Sequence, residues 1–388
     1  MITTNTLLAS FLRTRSDTEE ICAPLQIEDY VIQPIVYVSP PKWHMGHTTW
    51  FFEEFILSKY VKGYKRFHPE YAFVFNSYYE SIGKRVMRTN RGNLSRPTVQ
   101  EVYEYRDHIT SCMKTFLEED LDTDIIKLVL IGIHHEKQHQ ELLLTDIKFI
   151  LGTNPLFPKY NDTFTENFVQ SKISGYTKIK KGLYSVGYIG NQFCYDNELG
   201  AHDVFLQEYS ISNKLVTNKE YLEFIEDGGY KNSMFWHAEA WDWILNNGVE
   251  APLYWHKVDE QFWQYTFQGL KPLDTSAQVN HISYYEAFAF AQWKGERLPT
   301  EFEWEVAQSF FDWGTRWEWT ESAYAPYPNY KKAIGALGEY NGKFMVNQKV
   351  LRGGSVATAA NHTRPTYRNF FHPELRWQFT GIRLVKEN

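Results

Sequence analysis

The sequence is poor in cysteine. Only Cys22, Cys112 and Cys194 occur in 388 residues. They are widely spaced and odd in number, so neither a disulfide framework nor a zinc ribbon is encoded. A basic excess is also missing: the formal net charge is −7 and no Lys/Arg block stands out, which leaves no nucleic acid among the expected partners. No apolar run approaches the roughly 20 residues that span a bilayer, so no membrane partner is expected either. The opening residues, Met1-Ile2-Thr3-Thr4-Asn5, have neither the basic nor the apolar segment of a secretory signal, and the cytoplasm is the expected location. A fixed-period repeat is absent, which excludes solenoids and propellers.

The length fits two domains of roughly 150–200 residues each. With 43% hydrophobic and 22% charged residues the chain reads as globular. Aromatic residues reach 17%, enough rings to line a binding site as well as a core. Residues 1–152 read as helical. Periodic segments run from Thr4 to about Ala23, from about His44 to Val61, and from about Thr123 to Ile150, where Gly152 and Pro155 stop the pattern. Thr98-Val99-Gln100-Glu101 is a capping box that predicts a fourth helix. Four such helices predict an antiparallel bundle. A non-periodic stretch from about Lys62 to Arg96 interrupts it, and loops of that length in a compact domain are often functional. Residues 153–175 read as a polar linker. In residues 176–388 short alternating pieces (Tyr184 to Tyr188, Val204 to Leu206) mix with aromatics and glycine, and two helices are expected, Asn218 to Asp227 and Ser283 to Trp293. The fold class is α+β, multidomain.

The sharpest chemical signal is His135-Glu136-Lys137-Gln138-His139. At about 100° per residue the two histidines differ by about 40°, one turn apart on a face continued by Leu128, Ile131, Gly132 and Leu142. Two imidazoles on an inward face need partners for their nitrogens, and a shared metal ion supplies one. A buried pair hydrogen-bonded to backbone or carboxylates is the plainer possibility. The best third ligand is His47, which shares a face with Trp50, Phe51 and Phe55; His44, one turn earlier, competes with it. Three neutral imidazoles with open positions suit Fe(II), Cu or catalytic Zn. The string His135-Glu136-x-x-His139 is also the zincin protease motif. No suitable continuation follows it here, and the helix is too apolar for a protease cleft.

Taken together, several segments resemble the ergothioneine-biosynthesis sulfoxide synthases, in the branch that uses cysteine. They are Ser39 to Glu53, Phe75-Asn76-Ser77-Tyr78-Tyr79-Glu80, and His135-x-x-x-His139-x-Glu141. In the C-terminal half the segments are Arg297 to Glu305, Trp317-Glu318-Trp319-Thr320, Leu351 to Ser355, and Arg376 to Leu384. The resemblance spans almost the whole chain in order. It implies an N-terminal DinB-like four-helix bundle carrying the metal site. The following C-type-lectin or formylglycine-generating-enzyme-like (sulfatase-modifying-factor) domain would have little regular secondary structure. It further implies a non-haem Fe(II) site held by His47, His135 and His139, O2 as co-substrate, and a reaction joining a thiol to the imidazole of hercynine. The small-molecule partners implied are hercynine and cysteine.

Roles follow from the resemblance and from the chemistry of the substrates it implies. Tyr78 and Tyr79 match a tyrosine pair, one of which would donate a proton; Tyr367 is the counterpart used by another branch. Among Arg85, Arg88, Arg91 and Arg96, the choices for clamping the thiol's carboxylate are Arg88 and Arg91. Gln138 would reach the imidazole of the substrate, and Asn369 its amino-acid end. The trimethylammonium group has no N–H, so aromatic faces must recognise it, and Phe370, Phe371, Trp377 and Phe379 are the candidates. An ovothiol-type synthase using histidine, a selenium-using relative, and a non-catalytic binding module remain as alternatives.

Overall fold

The computed structural model describes residues 4–77, 83–166, 174–332 and 341–387. The chain forms two compact units: Met1–Asn161 with Ala357–His362, and Asp162–Val356 with Thr363–Asn388.

Four long helices build the first unit. Thr4–Cys22 comes first. Pro41, at the first turn where its missing N–H costs nothing, starts Pro41–Phe52. This helix continues through a π-helical turn, Glu53–Leu57, into Ser58–Tyr60. The Glu53 carboxylate at that turn is buried and accepts from the Tyr64 hydroxyl (2.8 Å), the Phe67 N–H (2.8 Å) and the Tyr105 hydroxyl (2.6 Å). The expected capping box forms. The Thr98 hydroxyl accepts from the Glu101 N–H at 3.2 Å, the Glu101 carboxylate takes the Thr98 N–H at 2.6 Å, and Val99–Leu117 follows. The last helix, Thr123–Gly152, spans 30 residues. At Gly132 an added Cβ would lie 2.6 Å from the Phe52 ring, so glycine is what lets this helix pack closely on Pro41–Phe52. Phe11, Phe52, Ile109, Met113, Val129 and Ile133 fill the interior.

The helical unit extends past residue 152. The Tyr160 hydroxyl donates to the Ile21 carbonyl at 2.6 Å, and Thr358 donates to Glu141 at 2.6 Å. Part of the stretch read as a linker is therefore fastened to the first helix. The region between Lys62 and Arg96 contains a short helix, Tyr71–Val74, and a 3₁₀ turn, Arg88–Asn93. Tyr78 and Tyr79 lie outside the described residues.

The second unit is assembled from short strands and turns. One four-stranded sheet has the order Asn369–Phe371, Lys349–Gly353, Trp317–Ala323, Thr380–Gly381, the last pair parallel. A three-stranded sheet joins Tyr176–Ile179, Tyr209–Ser212 and Val385–Glu387. Helices Asn218–Glu226 and Tyr284–Lys294 stand where the sequence predicts them, each opened by a capping box, at Thr217 and Ser283. Two further helices, Ala238–Asn247 and Glu301–Ala307, add to the two expected in this half. Much of the interior is ionic. Arg383 pairs with Glu318 at 2.6 Å, and Glu318 also accepts from the Trp304 indole at 2.6 Å. Arg368 pairs with Glu301 at 2.8 Å, and Arg352 with Glu305. The Arg–Glu–Trp segments of this half thus form a buried scaffold. Among the described residues no helix is long and apolar enough to cross a membrane.

Candidate metal centre

His47 lies on the helix Pro41–Phe52 and is fully buried. Its Nδ1 is 2.7 Å from the Phe75 carbonyl, which can only accept, so Nδ1 carries the proton. The lone pair is then on Nε2, a buried atom with no hydrogen-bond partner. Trp43 stacks on one face of the ring (4.6 Å between centroids, 12°), and Trp50 lies close to parallel at 5.4 Å and 17°. These contacts leave the ring little room to rotate.

His135 and His139 stand one turn apart on Thr123–Gly152. Ring centroids are 4.7 Å apart for His135–His139, 4.9 Å for His47–His135 and 4.7 Å for His47–His139. One ligand atom from each residue lies within 4.8 Å of the others. Burial pushes the His135 imidazole down to about 3 against the pull of the Glu136 carboxylate. Burial, and then the neighbouring His135, also hold His47 and His139 well below the ordinary histidine range. Three neutral imidazoles, one with an orphaned and buried lone pair, fit a first-row transition metal; the donor set is wrong for Mg or Ca.

His44, the competing third ligand, does other work. Its Nε2 is 2.9 Å from Asp146 Oδ2 and its Nδ1 is 2.9 Å from His139 Nδ1, so both ring nitrogens are engaged. Asp146 also accepts the Ser39 N–H at 2.8 Å. Sequence reasoning missed Asp146. Its signal was present: it follows His139 by seven residues, which returns it to the same helical face.

Glu136 points elsewhere. It is fully buried and accepts from Arg106 (2.5 Å), Arg15 (2.9 Å) and the Thr18 hydroxyl (2.7 Å). Arg15 also reaches Thr49 at 2.8 Å, so this cluster ties all four helices together. Burial alone would raise the Glu136 carboxyl; the Arg106 and Arg15 guanidiniums outweigh it and hold the group at about 2. A carboxylate locked between two arginines is not a general base beside a metal, which removes the zincin reading.

Arg91 is buried, with its guanidinium 3.3 Å from the Trp43 ring centroid, and donates to Ser39 Oγ and Ser77 Oγ, both at 2.9 Å. It therefore sits on the indole that stacks on His47. Arg88 is exposed and donates to the Tyr37 carbonyl at 2.6 Å. Gln138 is half-buried, one position before His139. The other substrate candidates lie in the second unit. Asn369, Phe370 and Phe371 form an edge strand, with Phe370 stacked on Tyr324 at 4.1 Å. Phe371 meets Trp377 at 6.1 Å, and Phe379 is fully buried, 4.6 Å from His281 and 6.2 Å from Phe267.

Comparison with known proteins matches residues 162–315 and 310–388 to a sulfatase-modifying factor enzyme 1-like domain, and residues 10–143 to the DinB superfamily. Hercynine oxygenase of Mycolicibacterium thermoresistibile is 28% identical over 329 residues, covering 69% of this chain and 70% of that protein. Hercynine oxygenase of Mycobacterium tuberculosis is 29% identical over 323 residues, covering 69% and 73%. Ergothioneine biosynthesis protein 1 of Schizosaccharomyces pombe is 24% identical over 241 residues, covering 50% of this chain and 28% of that protein.

Proposed function

The chain belongs to the sulfatase-modifying factor enzyme 1-like family, and from that premise we propose that it is an Fe(II)- and O2-dependent sulfoxide synthase that joins cysteine to the imidazole of hercynine. In the balanced reaction an imidazole C–H and a thiol S–H are lost and a C–S bond forms. One oxygen atom of O2 goes to sulfur and the other leaves as water. The observation that carries the reading is the three-histidine cluster, in a chain whose relatives include hercynine oxygenases.

His47, His135 and His139 would hold the iron. A bound Fe(II) with open positions would supply O2 activation and a common anchor for thiolate and imidazole. The Phe75 carbonyl and the flanking indoles fix the His47 ring with its lone pair on Nε2, so His47 need not reorient on binding. A phenol of Tyr78 or Tyr79 would deliver a proton at the reacting sulfur or oxygen. Arg91, backed by Trp43, and Arg88 would meet the thiol's carboxylate, and Gln138 the substrate imidazole. By the resemblance, Asn369 with Phe370, Phe371 and Trp377 would serve the amino-acid end and trimethylammonium of hercynine, whereas Phe379, fully buried against His281 and Phe267, is a core residue and not a ligand contact. The substrates are thus small molecules, and the expected compartment is the cytoplasm.

Free cysteine is the thiol this reading favours. The longer γ-glutamylcysteine brings an additional ammonium group. In the branch of the resembled family that takes it, an acidic residue follows the Arg-Asn-aromatic triplet and can pair with that group, whereas here Arg368-Asn369-Phe370 is followed by Phe371. An ammonium taken out of water without its carboxylate costs several kcal/mol, about 10²-fold or more in preference.

The test is anaerobic reconstitution with Fe(II), then O2, with mass spectrometry of products from hercynine or histidine and from several thiols and a selenium donor. Hercynylcysteine sulfoxide as the main product is expected. A product only from histidine, or only from the selenium donor, would replace the substrate assignment. No product from any pair, with iron bound, would overturn the synthase reading.

A further inference from the structure

The three-histidine cluster is backed by a chain of side chains running Asp146–His44–His139. Asp146 and His44 are both buried, and the contacts between them and on to His139 are each 2.9 Å. The directions of these hydrogen bonds follow from what each atom can do. An ionised carboxylate only accepts, so the proton between Asp146 and His44 is on His44 Nε2. In a neutral imidazole the other nitrogen then holds a lone pair, so His44 Nδ1 accepts. The remaining proton must be on His139 Nδ1, and the lone pair of His139 is left on Nε2. Asp146 is itself held by the Ser39 N–H at 2.8 Å, immediately before the Pro40-Pro41 start of the helix that carries His44 and His47.

We propose that His44 and Asp146 are positioning residues that select the Nδ1–H tautomer of His139 and fix its ring, so that Nε2 is the nitrogen offered to the metal. The inference rests on the metal reading given above. Histidine ligands ordinarily donate their second N–H to a carboxylate or carbonyl. Here His47 follows that rule with the Phe75 carbonyl, while His139 reaches its carboxylate through an intervening imidazole. The relay also spans two helices: His44 is on Pro41–Phe52, whereas His139 and Asp146 are on Thr123–Gly152. It therefore fixes His139 relative to the helix that carries His47, which a partner on its own helix could not do.

Two measurements test this. The first is the tautomer of His139 in the metal-free wild-type protein, read by ¹⁵N–¹H correlation of labelled histidine. A protonated Nδ1 is expected, and a protonated Nε2 would overturn the proposal without any variant having to fold. The second is equilibrium Fe(II) affinity, with apoprotein melting temperature followed in parallel. His44→Leu and Asp146→Ala should each weaken binding about 10–100-fold. His44→Gln, whose amide can donate toward Asp146 and accept from His139, should recover most of that loss. A purely structural role would instead show affinity tracking the melting temperature, with no rescue by glutamine. His47→Ala separates the two levels. Undiminished iron binding in His47→Ala overturns the metal reading itself. Binding abolished there but unchanged in His44→Leu overturns only the relay.

Discussion

The Nδ1–H of His47 donates to the carbonyl of Phe75 at 2.7 Å, and the ring of the same Phe75 occupies the space left by Gly46. Two neighbouring positions on one helix thus receive the carbonyl and the ring of a single residue on the following segment. The hydrogen bond sets which nitrogen of His47 is free, and the glycine sets how close the carbonyl can come.

Gly46→Ala should therefore disturb the metal centre from outside it. The new Cβ would lie 2.1 Å from the Phe75 ring, so ring and carbonyl must withdraw together. We expect a loss of about 1–3 kcal/mol in stability, as for an overpacked core, with weaker Fe(II) binding. Denaturant titration and an iron titration check this, and wild-type values in both would contradict the coupling.

Glu136→Gln should be strongly destabilising at neutral pH, by about 3–5 kcal/mol, because Arg15 and Arg106 lose a buried counter-charge. The effect has a defined pH dependence. The folded carboxyl is held at about 2, below its unfolded value of about 4.3. The stability it contributes is present above about pH 4.3 and is lost as pH falls toward 2. The gap between wild type and variant should narrow over that interval. A gap independent of pH would show that the cluster stabilises by packing alone.

Tyr78→Phe and Tyr79→Phe keep the ring and remove the phenol proton. In at least one of them C–S bond formation should fall and oxidation of the thiol to a sulfinic acid should rise, measured as a product ratio. Wild-type ratios in both would move the proton donor elsewhere, with Tyr367 next in line.

A competition between equal concentrations of cysteine and γ-glutamylcysteine, with hercynine fixed, should yield mainly the cysteine sulfoxide. A pool dominated by the γ-glutamyl product would contradict the argument from Phe371.

Part of this site was legible in the sequence because helical periodicity is a local signal. The four-residue spacing of His135 and His139 fixes a shared face, and the aromatic stripe through Trp50, Phe51 and Phe55 turns His47 inward. Asp146 lies on the face of His135 and His139, seven residues past His139, and extending that face finds it. The Phe75 carbonyl could not, because a backbone oxygen leaves no mark in residue identity. The Arg15–Glu136–Arg106 cluster joins positions distant in sequence, and no periodicity relates them. In the second unit alternation registers at the antiparallel pair Gly182–Val186 and His202–Leu206, where exposure alternates along both strands, but other strands are too short or too evenly buried for it. Thr380–Gly381 pairs through two residues only, and Asn369–Phe371 is half-buried throughout, with no inside-outside pattern. Capping boxes at Thr98, Thr217 and Ser283 remain readable there and in the first unit, since each is a four-residue event.

The most direct test of the metal centre is iron stoichiometry after anaerobic reconstitution of wild type and of His47→Ala, His135→Ala and His139→Ala. The account predicts one Fe(II) per chain in the wild type and a sharp loss in each variant, with apoproteins that remain folded. Full iron occupancy in any of the three, His47→Ala above all, would contradict it.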